Sequence, residues 1–129
     1  MKRRFMVSGL LLGLALANAA ILAPAEAQQS EPAYEFASPP AANINRIYRV
    51  NRVNGEIGAC QFKAKEGAVG TTLCFPVGEG AGPQVAGDYG LIASNHEKEI
   101  GLVRVNRQTG EMSVCYVLNE KAVCTAPAR

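Results

Sequence analysis

Arg49-Val50-Asn51-Arg52-Val53-Asn54-Gly55-Glu56-Ile57-Gly58-Ala59-Cys60 returns 55 residues later as Arg104-Val105-Asn106-Arg107-Gln108-Thr109-Gly110-Glu111-Met112-Ser113-Val114-Cys115. Arg, Val, Asn, Arg, Gly, Glu and Cys are identical in register, and each copy is followed by a second cysteine, Cys74 or Cys124. In the second copy, Ile100 to Asn106 and Met112 to Leu118 are rich in β-branched residues and alternate in polarity, which marks strands. Between them, Gly110 suits the positive-φ position that closes a three-residue hairpin loop, here after Thr109. The first copy has Asn54-Gly55 in the same place, a strong hairpin signal. Arg52 with Glu56, and Arg107 with Glu111, are expected to face each other across these turns, a pairing worth ~0.2–1 kcal/mol.

The register extends outward. With Asn119-Glu120 as a two-residue loop, Leu118 pairs with Lys121, Val117 with Ala122 and Tyr116 with Val123. Cys115 then lies opposite Cys124 at a site where Cα atoms sit ~4.5 Å apart, within disulfide reach. Four cysteines allow three pairings. Equivalent copies closing equivalent bridges select Cys60–Cys74 and Cys115–Cys124. In the first copy this bridge is expected to close a longer loop, Lys63 to Thr71. Tyr48 and Val50 share one face of their strand, as Val103 and Val105 do in the equivalent strand. Met112, Val114, Tyr116 and Leu118 line one side of the next strand, with Cys115 and Val117 on the other. Neither copy has a core of its own, so the two must pack together.

The expected fold is therefore all-β: two repeated three-stranded antiparallel meanders, each with one disulfide, packed as a small sandwich or barrel of six or seven strands. The single β domain spans 44–126, with repeat 1 at 46–77, a Gly/Pro-rich linker at 78–99 that holds a short strand at Tyr89 to Ala93, and repeat 2 at 100–126.

The N-terminus reads as export. Lys2, Arg3 and Arg4 precede an uncharged apolar run from Phe5 to Leu22, and Ala25-Glu26-Ala27 fits a signal-peptidase site. Residues 1–27 are the expected signal peptide; left uncleaved, the run would serve as an N-terminal anchor. The chain has 13 Lys+Arg and 11 Asp+Glu, and the signal takes three basic residues and one acidic, which leaves ten of each. A neutral domain has no basic face for nucleic acid. Residues 28–43, with three prolines, read as a disordered Pro/Ala-rich leader. Four cysteines in an exported chain imply an oxidising compartment, periplasmic or extracellular.

Asn106-x-x-Thr109-Gly110-Glu111-x-Ser113-x-Cys115, with Cys124 eight residues further on, resembles a set of small exported or membrane-anchored proteins of α-proteobacteria. Those share an Asp/Asn-x-x-Thr-Gly hairpin followed by a cysteine pair. Their last cysteine tends to follow a tryptophan, where this chain has Val123. The resemblance covers residues 104–125, implies export and a β-hairpin, and carries no catalytic residue across. A similar Thr-Gly turn is also like those of β-propeller blades, but two copies cannot close a propeller of at least four.

Sites of chemistry are not signalled. Thirteen and eight residues separate the cysteine pairs, against the two to four typical of structural zinc, and no Cys-x-x-Cys is present. His96 stands in a polar loop with Asn95, Glu97 and Glu99, a poor metal site and the only histidine for a triad. Gly78-Glu79-Gly80-Ala81-Gly82-Pro83 lacks the Lys-Ser/Thr of a phosphate loop. No catalytic residue, metal or cofactor is expected. Tyr48, Phe62, Phe75, Tyr89 and Tyr116 are expected mainly in packing, with any exposed tyrosines forming a binding platform. The functional expectation is an exported, non-enzymatic β module that binds a protein or glycan of the cell envelope. The alternative is a small secreted enzyme inhibitor using Gly78–Gly87 or Ser94–Glu99, and an enzyme is the less favoured third reading.

Overall fold

The computed structural model describes Ala23, Glu31 and residues 33–129. The expected signal peptide, apart from Ala23, and the first part of the expected leader lie outside the described residues. Eight strands follow in chain order: β1 (Tyr34–Ala37), β2 (Arg46–Asn51), β3 (Ile57–Lys65), β4 (Ala68–Phe75), β5 (Tyr89–Ile92), β6 (Leu102–Asn106), β7 (Met112–Leu118) and β8 (Lys121–Cys124). They form two four-stranded antiparallel sheets, ordered β1-β2-β3-β4 and β5-β6-β7-β8. Each sheet carries one disulfide, Cys60–Cys74 and Cys115–Cys124. Such bonds persist in an oxidising, non-cytoplasmic compartment.

The sequence reading is corrected in three respects. There are eight strands rather than six or seven: the short strand expected at Tyr89 to Ala93 opens the second sheet as β5, and the first sheet also gains a strand at its start. Tyr34–Ala37 is that strand in the first sheet, within the stretch read as a disordered leader. Its prolines, Pro32, Pro39 and Pro40, flank the strand and leave its donors intact. Finally, the first disulfide does not close a long loop. The β3–β4 ladder runs on to Lys65↔Ala68, past an irregularity between Lys63 and Lys65, so that Glu66 and Gly67 alone make the turn. The Asn119-Glu120 turn is as expected: both residues have positive φ, 48° and 59°, as a type I′ hairpin requires.

The strand pairings of the first three strands in each sheet correspond at the 55-residue offset. Tyr34↔Asn51, Ala37↔Tyr48, Ile47↔Cys60 and Val50↔Ile57 in the first sheet become Tyr89↔Asn106, Ile92↔Val103, Leu102↔Cys115 and Val105↔Met112 in the second. At each first turn an asparagine organises the loop. Asn51 Oδ1 accepts from Val53 N–H at 2.9 Å, and Asn106 Oδ1 from Gln108 N–H at 3.0 Å. Gly55 and Gly110 then take φ of 71° and 78°.

The core lies between the sheets. Tyr48, Val50, Ile57 and Ala59 from the first face Tyr89, Leu91, Leu102, Cys115, Ala122 and Cys124 from the second. Burying a large apolar side chain of this kind contributes ~1.5–3 kcal/mol. The Tyr48 hydroxyl is satisfied by donating to the Ile100 carbonyl at 3.0 Å, and burial raises its pKa.

Equivalent strands turn opposite faces inward. Tyr48 and Val50 are buried in β2, while their counterparts Val103 and Val105 lie on the outer face of β6. In β6 it is Leu102, Arg104 and Asn106 that are buried. The sheets are thus stacked front to back, like successive members of a row, and are not related by a two-fold axis between them.

Candidate functional site

The expected Arg–Glu braces across the first turns do not form. Each arginine instead reaches the start of its sheet, because its own N–H donates to the residue just before the first strand: Arg52 to Ala33 O at 2.9 Å and Arg107 to Asp88 O at 2.7 Å. Arg107 pairs with Glu35 at 3.1 Å and Asp88 at 3.3 Å, and Arg52 with Glu31 at 3.2 Å. Glu111 bonds to Arg129 at 3.6 Å. Glu35 joins the sheets, since its other oxygen accepts from Leu91 N–H at 2.9 Å. Burial raises the pKa of the Glu35 carboxyl, but the Leu91 N–H and the Arg107 guanidinium outweigh it, so the net displacement is downward.

A cavity of about 230 Å³ is lined by Tyr89, Arg104, Asn106, Glu111 and Ser113 of the second sheet and its first turn, together with Gln84, Val85 and Pro127. Arg104 is 2% exposed. It donates to the Gly55 carbonyl at 3.0 Å and to Ser113 Oγ at 3.3 Å, and burial lowers its pKa. Among the described residues no carboxylate bonds to it. A buried guanidinium without a counter-ion costs free energy unless its donors are used, and here the first sheet's turn supplies the acceptor.

The outer faces are the larger feature. On the second sheet Ile92, Val103, Val105, Met112, Val114, Tyr116 and Leu118 share one face, where Ile92, Met112, Val114 and Leu118 are exposed and Val103, Val105 and Tyr116 half-buried. Met112 is 51% exposed where its counterpart Ile57 is 0%, and Val114 is 38% exposed where Ala59 is 2%. The outer face of the first sheet carries Tyr34, Phe36, Ile47, Arg49, Gly58 and the Cys60–Cys74 bridge. Shifted by 55, these positions are Tyr89, Leu91, Leu102, Arg104, Ser113 and Cys115, the face of the second sheet that packs on the first. Ile47 is 46% exposed and Leu102 1%. Contiguous apolar faces of this kind mark interaction surfaces.

The four cysteines and the turn residues Asn54, Gly55, Thr109 and Gly110 lie at the outer or inner sheet faces and the two first turns, and they assemble no reactive group. His96 is exposed in its loop. Tyr48 and Tyr89 are core, Phe62 is exposed and Phe75 half-buried. The sequence reading missed Tyr34 and Phe36, whose rings lie 6.5 Å apart on the outer face, because their strand fell within a proline-rich stretch. It also missed Arg104. The signal was present: Arg49 and Arg104 occupy the same position in the two copies, on strands that must bury one face.

Compared with protein-family models, with curated proteins and with solved structures, the chain gives no match.

Proposed function

We propose that the protein is an exported, non-enzymatic β module of the periplasm or the exterior that works by binding, through the apolar outer face of its second sheet. The observation that carries this reading is the exposure of Met112, Val114, Ile92 and Leu118 together on one face of a disulfide-stapled domain. A monomer that used no partner there would leave a contiguous apolar patch in water, which soluble proteins rarely do beyond a few hundred Å². The β-branched and aliphatic composition of this face suits docking against another flat surface.

Site-specific photo-cross-linking from position 114 in the producing cell tests it. A discrete cross-linked product is expected from position 114. None is expected from position 69, where Val69 is more exposed still, 95% against 38% for Val114, but stands near the tip of the β3–β4 hairpin. Absence of any product from 114 contradicts the proposal.

A further inference from the structure

The partner that best fits the open face is a second copy of this chain. The operation that lays β1, β2 and the first half of β3 over β5, β6 and β7 carries each of their paired residues onto the one 55 positions later, and it stacks front on back. Repeated once more, it sets a third sheet on the outer face of the second. That face presents Val103, Val105, Met112 and Val114, standing where Tyr48, Val50, Ile57 and Ala59 stand in the first sheet. The surface made to cover such a face is the inner face of the second sheet, and the chain carries a second edition of it on the outside of its first sheet. Tyr34, Ile47 and Arg49 there match Tyr89, Leu102 and Arg104.

Two details mark the vacant half of the contact. The Tyr89 ring lies against Gly55, and a Cβ built on that glycine would come within 2.8 Å of it. At Gly110, the same turn in the second sheet, nothing among the described residues lies within 4 Å of the corresponding point. Arg104 donates to the Gly55 carbonyl, whereas Arg49 stays exposed, its guanidinium 5.3 Å from the Tyr34 ring. In the repeated stack, Tyr34 of the next chain covers Gly110 and Arg49 of the next chain reaches the Gly110 carbonyl.

We infer that the chains join head to tail, the outer face of one chain's second sheet against the outer face of the next chain's first sheet, and close into a ring. Head-to-tail contacts use two different surfaces and end only by closure. Radial arrays of four-stranded sheets close with about four to eight members, which at two sheets per chain gives two, three or four chains. This rests on the binding reading above and names its partner.

The test is light scattering during size-exclusion chromatography of the protein as its cell exports it. The wild type is expected at two, three or four chains. Ile47→Asp spoils one face and Met112→Asp the other. Both side chains are exposed in the single chain, so each variant is expected to keep its far-ultraviolet spectrum and run as one chain. An equal mixture of the two is expected at two chains, because one intact face of each kind remains. A wild type that stays a single chain at its solubility limit overturns the inference, as does a variant that still assembles, or a mixture that does not pair. A single-chain wild type that still cross-links to a different protein from position 114 overturns self-assembly and leaves the binding reading standing.

Discussion

Tyr89 packs its ring against Gly55, with ring carbons 2.8 Å from where a side chain would begin. Gly110 has the same backbone conformation, φ 78° against 71°, and open space above it. Gly110→Ala should therefore cost the left-handed conformational penalty alone, ~1–2 kcal/mol. Gly55→Ala should cost more, because Tyr89 must also move out of the core. Urea unfolding of both variants in the Ile47→Asp background, where assembly plays no part, checks this, and equal losses would contradict the packing described.

Arg104 and Arg49 occupy equivalent positions with opposite fates. Arg104 uses two arms of its guanidinium, on the Gly55 carbonyl and on Ser113. Lysine has a single charged point and no fork. Arg104→Lys should lose a charge-assisted hydrogen bond worth ~1.5–3 kcal/mol. Arg49→Lys, exposed in the single chain, should stay within ~0.5 kcal/mol. The same unfolding series reads both.

Both disulfides cross neighbouring strands, but Cys115 is fully buried and Cys124 nearly so, while Cys74 is exposed. In the single-chain form a mild reductant should open Cys60–Cys74 first, followed by mass-resolved alkylation. Replacing either pair by alanine should cost ~2–5 kcal/mol, with the Cys115–Cys124 pair at the upper end because its loss also leaves a void in the core.

Glu35 connects stability to pH. Its pKa is lowered in the folded chain, so its contribution is fully present above the ordinary glutamate value of ~4.3 and is lost as pH falls through the folded value. The wild type should lose stability on that acid limb, and Glu35→Gln should flatten the limb while leaving Arg107 with Asp88 alone. An unchanged acid limb in the variant would show that the Glu35 contact to Leu91 and Arg107 contributes nothing.

Most of the sheet architecture was legible because turns and register are local. Gly55 and Gly110, the Asn119-Glu120 turn and the cysteine spacing set strand pairing without reference to anything distant. β1 was not legible: Tyr34–Ala37 is four residues between prolines, and it is a strand only because β2 offers an unpaired edge. The Glu35 partner of Arg107 was hidden for the same reason, since it lies on β1, and Glu31 and Asp88 lie outside the hairpins that carry Arg52 and Arg107. Which face turns inward was hidden too. Alternation in Leu102–Asn106 makes Val103 with Val105 the more apolar face, yet the neighbouring sheet buries Leu102, Arg104 and Asn106.

Hydroxyl-radical footprinting of the single-chain Ile47→Asp form reads the front-to-back stacking of the two sheets. Stacking as described predicts that Tyr48, Ile57 and Leu102 are protected while Met112, Val114 and Phe36 are labelled. Equal protection of Ile57 and Met112, the pattern of two sheets facing each other with equivalent sides, would contradict it.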